Sequence, residues 1–148
     1  KLYFMDIGLA CNLAGVRDEA HLFNGPMAGS LFENFCVQET IKFFLGRGQQ
    51  PPLYYLRTGN GLEVDLLIEP SAGQLIPVEI KLSKTPAAQQ ARTLTSFREL
   101  FARLDPAPGL LLSLGETTCL LNREVTTVTL DDYFRRLAEL LETYKPAG

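Results

Sequence analysis

The sequence is poor in several residue types that carry chemistry in proteins. Its 148 residues contain no tryptophan, one histidine and three cysteines. With His21 as the only histidine, a zinc site or a nucleophilic site built on two histidines is excluded. Cys11, Cys36 and Cys119 are too far apart for a metal-ligand motif or a disulfide framework, which is typical of a reducing compartment. We therefore expect a cytoplasmic protein.

Further absences narrow the class of protein. No apolar run approaches the length of a membrane span, and Lys1–Leu9 lacks the layout of a secretory signal peptide, so no membrane partner is expected. The formal net charge of −3 gives no support for a broad nucleic-acid surface, although a local basic groove is compatible with it. No glycine-rich Walker A loop occurs, so ATP is not expected to bind this chain by that route.

The remaining composition is typical of a globular domain. Apolar residues make up 46% of the chain and charged residues 21%, and the length suits one domain with a sizeable core. The first residues have the character of the middle of a fold. We therefore expect a single domain that is a fragment of a longer protein.

The pattern of strand and helix signals predicts an α/β fold. We expect the following elements in chain order: a strand over 1–6, a helix over 7–15, a loop over 16–26, a helix over 28–45, strands over 53–57, 62–69 and 75–82, a helix over 86–104, a strand over 110–114, a hairpin over 117–129 and a helix over 130–144. The three strands joined by tight turns must be antiparallel, whereas a strand that follows a long helix can be parallel to its neighbour.

Charged residues interrupt two of these strands. Asp65 lies among Val64, Leu66, Leu67 and Ile68, and on the next strand Glu79 and Lys81 alternate with apolar residues. Successive side chains of a strand point to opposite faces, so Glu79 and Lys81 share a face. Charges on a half-buried sheet are costly to desolvate. Carboxylate oxygens beside an ammonium group suit a divalent cation and a phosphate.

This order of elements and acids resembles the PD-(D/E)XK nuclease superfamily. The chain resembles more closely the uncharacterised C-terminal module of bacterial and archaeal AAA+ ATPases. The resemblance rests on five segments, which are Tyr3–Leu9 (YFMDIGL), Gly29–Phe35 (GSLFENF), Leu56–Thr58 (LRT), Gly61–Leu67 (GLEVDLL) and Pro77–Lys81 (PVEIK). Val64 stands before Asp65 where the superfamily name has proline, a position that varies.

The resemblance implies a restriction-endonuclease-like fold. Its αβββαβ core has a mixed four-stranded sheet flanked by helices, here within residues 28–114. Residues 1–27 would form a linking strand, helix and loop, and residues 115–148 an added β-hairpin and helix. The resemblance also implies an ATPase domain upstream of this chain, where ATP would bind, and it leaves an oligomer open.

The site residues follow from the same resemblance. Asp65, Glu79 and the backbone carbonyl of Ile80 would hold Mg²⁺ or Mn²⁺, and Lys81 would orient a water molecule or offset phosphate charge. Glu33 would point toward the sheet and hold a metal-bound water. The implied reaction is metal-dependent hydrolysis of phosphodiester bonds in DNA.

Alternatives remain open at each position. Asp65, Glu79 and Lys81 could form a structural ion-pair cluster on an inactive scaffold, and Glu33 could be an acid in the first turn of its helix. Glu63 is either a further ligand or a partner of Arg57. A loop over 58–62 places Arg57 opposite Glu63, whereas a two-residue loop at Asn60–Gly61 does not.

Three functions are therefore consistent with the sequence. The first is a metal-dependent nuclease domain that works with its own ATPase. The second is a catalytically inactive nuclease-like module that binds nucleic acid or protein. The third is an oligomerisation or docking domain, which would present an exposed apolar patch, expected around Phe4, Phe23 and Met27.

Overall fold

The structure is a computed structural model that describes residues 1–144. The chain divides into two compact units, Lys1–Pro51 and Pro52–Gly148. None of the helices within the described residues is both long enough and apolar enough to cross a membrane.

The first unit is helical. It contains α1 (Ile7–Leu13), α2 (Glu19–Asn24) and α3 (Ala28–Leu45), and both shorter helices contact α3. Asp6 and Asp18 begin α1 and α2, because each side chain accepts a hydrogen bond from a backbone N–H of the first turn. The prediction of α3 is confirmed. The expectation of a loop over 16–26 was wrong in part, since Asp18 initiates a helix there.

The expected strand at the start of the chain is absent. Residues 1–6 are not assigned to a strand, because side chains of α3 take up their backbone hydrogen bonds. The Asn34 side chain accepts from the Phe4 N–H at 2.7 Å and donates to the Phe4 carbonyl at 2.8 Å. Gln38 Nε2 donates to the Met5 carbonyl at 2.6 Å. The segment is thus bound to a helix by amide side chains instead of to a strand.

The second unit is built on a mixed six-stranded sheet. The strands are β1 (Leu53–Arg57), β2 (Glu63–Ser71), β3 (Gln74–Lys81), β4 (Gly109–Ser113), β5 (Cys119–Leu120) and β6 (Val125–Val128), in the spatial order β1-β2-β3-β4-β6-β5. β1, β2 and β3 are antiparallel neighbours, whereas β4 is parallel to both β3 and β6. The C-terminal hairpin therefore extends the sheet, and the expected four-stranded sheet has six strands.

Two helices flank this sheet. α4 (Arg92–Leu100) contacts β2, β3 and β4, and α5 (Leu130–Thr143) contacts β4 and β6. Leu94 and Phe97 of α4 are fully buried in a cluster with strand residues, which are Val64, Leu67, Leu111 and Val125. The helix expected over 86–104 is shorter than predicted, because its first and last turns are 3₁₀ helices at Ala88–Ala91 and Ala102–Leu104. The chain order helix, three strands, helix, strand agrees with the prediction.

Candidate functional site

The structure brings Asp65, Glu79 and Lys81 into one cluster on β2 and β3. The Lys81 ammonium lies 2.5 Å from Oε1 of Glu79 and 3.7 Å from Oδ2 of Asp65. The two acids are on neighbouring strands, so this arrangement depends on how β2 pairs with β3 across a tight turn. One nitrogen is therefore shared by carboxylates that are fourteen positions apart in the sequence.

Asp65 lies in an irregular part of β2. Tyr54 pairs with Leu67 and Leu56 pairs with Val64, so Asp65 and Leu66 together oppose the single residue Tyr55. This is a β-bulge, which re-aims a side chain and is frequent next to functional sites. The bulge also explains why Val64 and Leu67, three positions apart, lie in the same core cluster. The simple alternation expected along β2 is broken at Asp65.

A backbone hydrogen bond fixes the Asp65 carboxylate. Its Oδ2 accepts the N–H of Ile80 at 3.0 Å. The N–H and C=O of one residue in a strand point to the same neighbouring strand, so the Ile80 carbonyl is also directed toward β2. The proposed backbone ligand and the Asp65 carboxylate are therefore on the same side of β3.

Burial differs sharply among the three charged groups. The side chains of Asp65 and Glu79 are 8% and 5% exposed, whereas that of Lys81 is 39% exposed. Buried carboxylates need a nearby positive charge, because desolvation without one costs several kcal/mol. Lys81 provides that charge and lies on the solvent side of the cluster.

The donor atoms suit a hard divalent cation. Carboxylate and carbonyl oxygens are the protein ligands of Mg²⁺ and Mn²⁺, and Mg²⁺ needs only one or two carboxylates because it retains several waters. Within residues 1–144 no group of three or more histidine, cysteine, aspartate or glutamate side chains could hold a metal ion. A site here would thus rest on Asp65, Glu79 and backbone oxygen, and it could not be a zinc-type cluster.

Glu33 lies in the first unit, on α3. Its Oε1 accepts from the Tyr3 hydroxyl at 2.6 Å and from the Lys1 ammonium at 2.9 Å. The alternative that Glu33 is a first-turn acid was wrong, since α3 begins at Ala28 and has no acid in its first turn. These contacts tie residues 1–6 to α3. A role for Glu33 in holding water remains a prediction.

Arg57 and Glu63 are direct partners across the β1–β2 hairpin. The loop between them is the longer of the two alternatives, spanning residues 58–62. It is closed by hydrogen bonds between Thr58 and Leu62, in which the Thr58 N–H donates to the Leu62 carbonyl at 2.8 Å and the Thr58 hydroxyl accepts the Leu62 N–H at 3.0 Å. Gly61 permits the turn through its positive φ of 89°.

Two hydroxyl groups that the sequence pattern does not predict lie beside the cluster. Ser113 on β4 is the direct partner of Lys81, and its Oγ lies 3.3 Å from Oγ1 of Thr127 on β6. Both residues are buried. They extend a polar face from β3 across β4 to β6. The sequence signal for Ser113 is that this polar residue ends the apolar run Leu110–Leu112 and lies two positions after Leu111 on the same strand.

The loops that follow these strands are tied to each other. The Leu114 N–H donates to the Ser83 carbonyl at 3.0 Å, and the Gly115 N–H donates to the Ser113 hydroxyl at 3.2 Å. The chain just after Lys81 is therefore held by the chain just after Ser113. This contact restricts the end of β3 that carries the charged cluster.

A second surface lies within the first unit. Phe4, Phe23 and Met27 are 44%, 45% and 48% exposed, as the docking hypothesis predicts. A groove of about 480 Å³ lies between residues 1–4, α1 and α3, and its lining includes Leu13 and Leu31. This unit therefore presents an apolar surface to solvent.

One cysteine is chemically unreactive by its environment. Cys36 on α3 is fully buried, and burial raises the pKa of its thiol to about 12, with further contributions from Glu33 and Glu39. Since the thiolate is the reactive form, this residue is inert near neutral pH. Cys11, Cys36 and Cys119 are all free thiols.

Comparisons with known proteins identify a family and two curated relatives. The model of the family described as "Domain of unknown function (DUF4143)" matches residues 28–133. Two uncharacterized proteins, Mb2031c of Mycobacterium bovis and Rv2008c of Mycobacterium tuberculosis, are each 33% identical to the chain over 91 residues. That match covers 62% of this chain and 20% of each relative. The matched segment therefore spans about a fifth of the length of each of these relatives.

Among solved structures, the chain is similar to part of one large assembly. That solved structure is the refined half-complex from a tetradecameric assembly of Thermococcus gammatolerans McrB AAA+ hexamers with bound McrC. The TM-score is 0.47 at 16% sequence identity, over 76% of this chain and 33% of that chain.

Proposed function

Because the chain belongs to the DUF4143 family, which is described without a function, we propose from its own site that it is a PD-(D/E)XK nuclease-like domain. The function would be metal-dependent hydrolysis of phosphodiester bonds in DNA. One observation carries the proposal, which is the convergence of the buried Asp65 and Glu79 carboxylates on a single lysine whose side chain is 39% exposed. This combination provides two hard anionic ligands and one group for a phosphate.

The chain's residues have distinct roles in this proposal. Asp65 and Glu79 hold Mg²⁺ or Mn²⁺ with the Ile80 carbonyl, and the Ile80 N–H keeps the Asp65 carboxylate oriented. A divalent cation bound there supplies Lewis acidity toward the phosphate and lowers the pKa of water. Lys81 offsets the negative charge that develops on the phosphate oxygens. Glu63, paired with Arg57, orients the hairpin that leads into β2.

The whole protein in this proposal is larger than the chain. The relatives are several times longer than the matched segment, which leaves room for other domains. By the resemblance of its motifs, we propose that the partner is an AAA+ ATPase domain of the same polypeptide. ATP would bind there and would not bind in these residues.

A second candidate function is supported by a separate observation. The exposed aromatic and methionine side chains of the first unit, Phe4, Phe23 and Met27, are typical of a surface that binds another protein. The Lys81 ion pairs also offset part of the charge of the two acids without any metal. The second candidate is thus an inactive nuclease-like module that binds protein or nucleic acid.

The test is cleavage of DNA by the chain in Mg²⁺ or Mn²⁺. Single-stranded, duplex and branched DNA are incubated with the parent and with Asp65→Asn and Lys81→Met. Glu99→Gln and Lys84→Met serve as matched controls, because both residues are exposed and lie outside the cluster. We expect the parent and controls to cut, and the two site variants to lose about a hundredfold or more in rate.

Two results count against this proposal. If the site variants cut as fast as the parent, the assignment of the site is wrong. If no substrate is cut with either metal, the inactive binding module becomes the better account, and retention of labelled DNA by the parent then decides between a nucleic-acid and a protein partner.

A further inference from the structure

We propose that Lys81 is the resident counter-ion of the Asp65 and Glu79 carboxylates, and that a divalent cation enters the site only by displacing its ammonium group. The inference rests on the proposed function and specifies how the same site is regulated. Its first support is geometric. The Lys81 nitrogen lies within 2.5 Å of Oε1 of Glu79 and 3.7 Å of Oδ2 of Asp65, so it occupies the space that the two carboxylates share.

Its second support is the gradient of exposure across the cluster. The side chain of Lys81 is 39% exposed, against 8% for Asp65 and 5% for Glu79. Solvent therefore reaches the cluster at the lysine. A hydrated cation that approaches from solvent meets the ammonium group before it meets either carboxylate. Lys81 therefore blocks access of the cation to the two carboxylates.

Its third support is the balance of charge. Two carboxylates and one ammonium leave the cluster with a single negative charge in excess. Adding a divalent cation while Lys81 stays in place would produce a net positive charge among buried groups, where repulsion between like charges is strong. Moving Lys81 outward leaves two carboxylates with one divalent cation, which is neutral. The neutral arrangement is the favoured one.

The position of Lys81 favours this movement. Lysine has a long flexible stem that reaches water easily, and Lys81 is the last residue of β3. The β3 end is itself fixed, because the Leu114 N–H holds the Ser83 carbonyl at 3.0 Å. Cation binding thus turns a side chain and leaves the strand in place. It moves the ammonium outward to solvent, where a phosphate would arrive.

The experiment compares Mn²⁺ binding by the parent and by Lys81→Met, which retains the stem and removes the charge. Calorimetric titration gives the dissociation constant, and thermal unfolding in chelator and in Mn²⁺ gives a readout independent of activity. We expect Lys81→Met to melt at a lower temperature in chelator, since two buried carboxylates lose the ammonium group that offsets their charge. We expect it to bind Mn²⁺ about tenfold more tightly or better, since no ammonium competes. Lys84→Met, the matched control, should match the parent in both.

The outcomes separate the inference from the proposed function. If the parent binds Mn²⁺ and Lys81→Met binds it equally or more weakly, the counter-ion inference is overturned while the metal site stands. If neither protein binds Mn²⁺, both proposals fall.

A second variant keeps the test open if Lys81→Met does not fold. Lys81→Arg retains the charge and introduces a planar guanidinium group, which binds carboxylates through two parallel hydrogen bonds. We expect this variant to bind Mn²⁺ about threefold more weakly than the parent or worse, because a stronger competitor occupies the ligands. Equal or tighter binding by Lys81→Arg would overturn the inference.

Discussion

The backbone N–H of Ile80 donates a hydrogen bond to Oδ2 of Asp65 at 3.0 Å. Main-chain pairing of β2 with β3 reaches Leu66 and Val78, and beyond that pair the Asp65 carboxylate accepts the N–H of the next strand. One side chain therefore completes the sheet and also belongs to the charged cluster. Structure and proposed chemistry depend on the same carboxylate.

This double role predicts different effects for two substitutions of Asp65. Asp65→Asn retains an oxygen that can accept the Ile80 N–H, so we expect a folded protein that no longer binds Mn²⁺. Asp65→Ala leaves a buried N–H without its acceptor, which costs about 1–3 kcal/mol of the free energy of unfolding. Urea unfolding measures the stability of both, and calorimetry measures the binding. Equal loss of stability in the two variants would contradict the structural role.

The N-terminal segment should depend on Asn34. Its side chain makes both hydrogen bonds to the Phe4 backbone, so Asn34→Ala should loosen the segment at Phe4. We expect hydrogen exchange at the Phe4 amide to become about tenfold faster or more, as for a loss of 1.4 kcal/mol or greater in local stability. The exposed Asn24 is a matched control, since its side chain bonds only within α2. An unchanged exchange rate in Asn34→Ala would show that other contacts hold the segment.

Packing of α4 on the sheet predicts the effect of filling one glycine. A Cβ at Gly109 would lie 2.9 Å from the Cβ of Leu94, which is fully buried. We expect Gly109→Ala to destabilise the protein by about 1–3 kcal/mol through overpacking. Gly29→Ala is the control, because Gly29 lies in α3 with no atom near its missing Cβ. There we expect a gain of about 0.5–1 kcal/mol from helix propensity. Chemical denaturation measures both, and a neutral Gly109→Ala would mean that α4 moves freely away from β4.

Asp132 predicts a pH-dependent contribution to stability. The hydrogen bond from the Thr118 hydroxyl lowers the pKa of this carboxyl below its usual 3.8, and Arg135 and Thr129 add to the effect. A carboxyl whose pKa is lower in the folded state than in the unfolded state stabilises the folded protein at pH values above the unfolded-state pKa. That contribution is lost as the pH falls below 3.8. We therefore expect Asp132→Asn to lower the melting temperature at pH 7 and to approach the parent as the pH falls further below 3.8. Asp131→Asn is the control, because it removes a neighbouring carboxylate from the same first turn of α5. A constant difference at all pH values would contradict the linkage.

The sequence predicted the part of the site that depends on local geometry. β2 and β3 are consecutive and joined by a tight turn, in which Gly73 adopts a φ of 80°. Strands joined in this way must pair, so Asp65, Glu79 and Lys81 were predicted to lie together. The register Arg57 opposite Glu63 was one of two stated alternatives. Each of these inferences needs only neighbours in the chain.

The features that the sequence did not predict depend on distant residues. The bulge at Asp65 exists only relative to β1. The segment over residues 1–6 has strand character, but Asn34 and Gln38, about thirty residues away, take its hydrogen bonds. The parallel pairing of β6 with β4 makes the C-terminal hairpin part of the sheet. The hairpin was expected to be an added element outside a four-stranded sheet.

The most direct test of the account is to locate Mn²⁺ in crystals of the chain by its anomalous scattering. The account predicts one strong peak at bonding distance from both the Asp65 and the Glu79 carboxylates, with the Lys81 ammonium turned toward solvent. A peak elsewhere, or an intact Lys81 to Glu79 ion pair in crystals saturated with Mn²⁺, would contradict it.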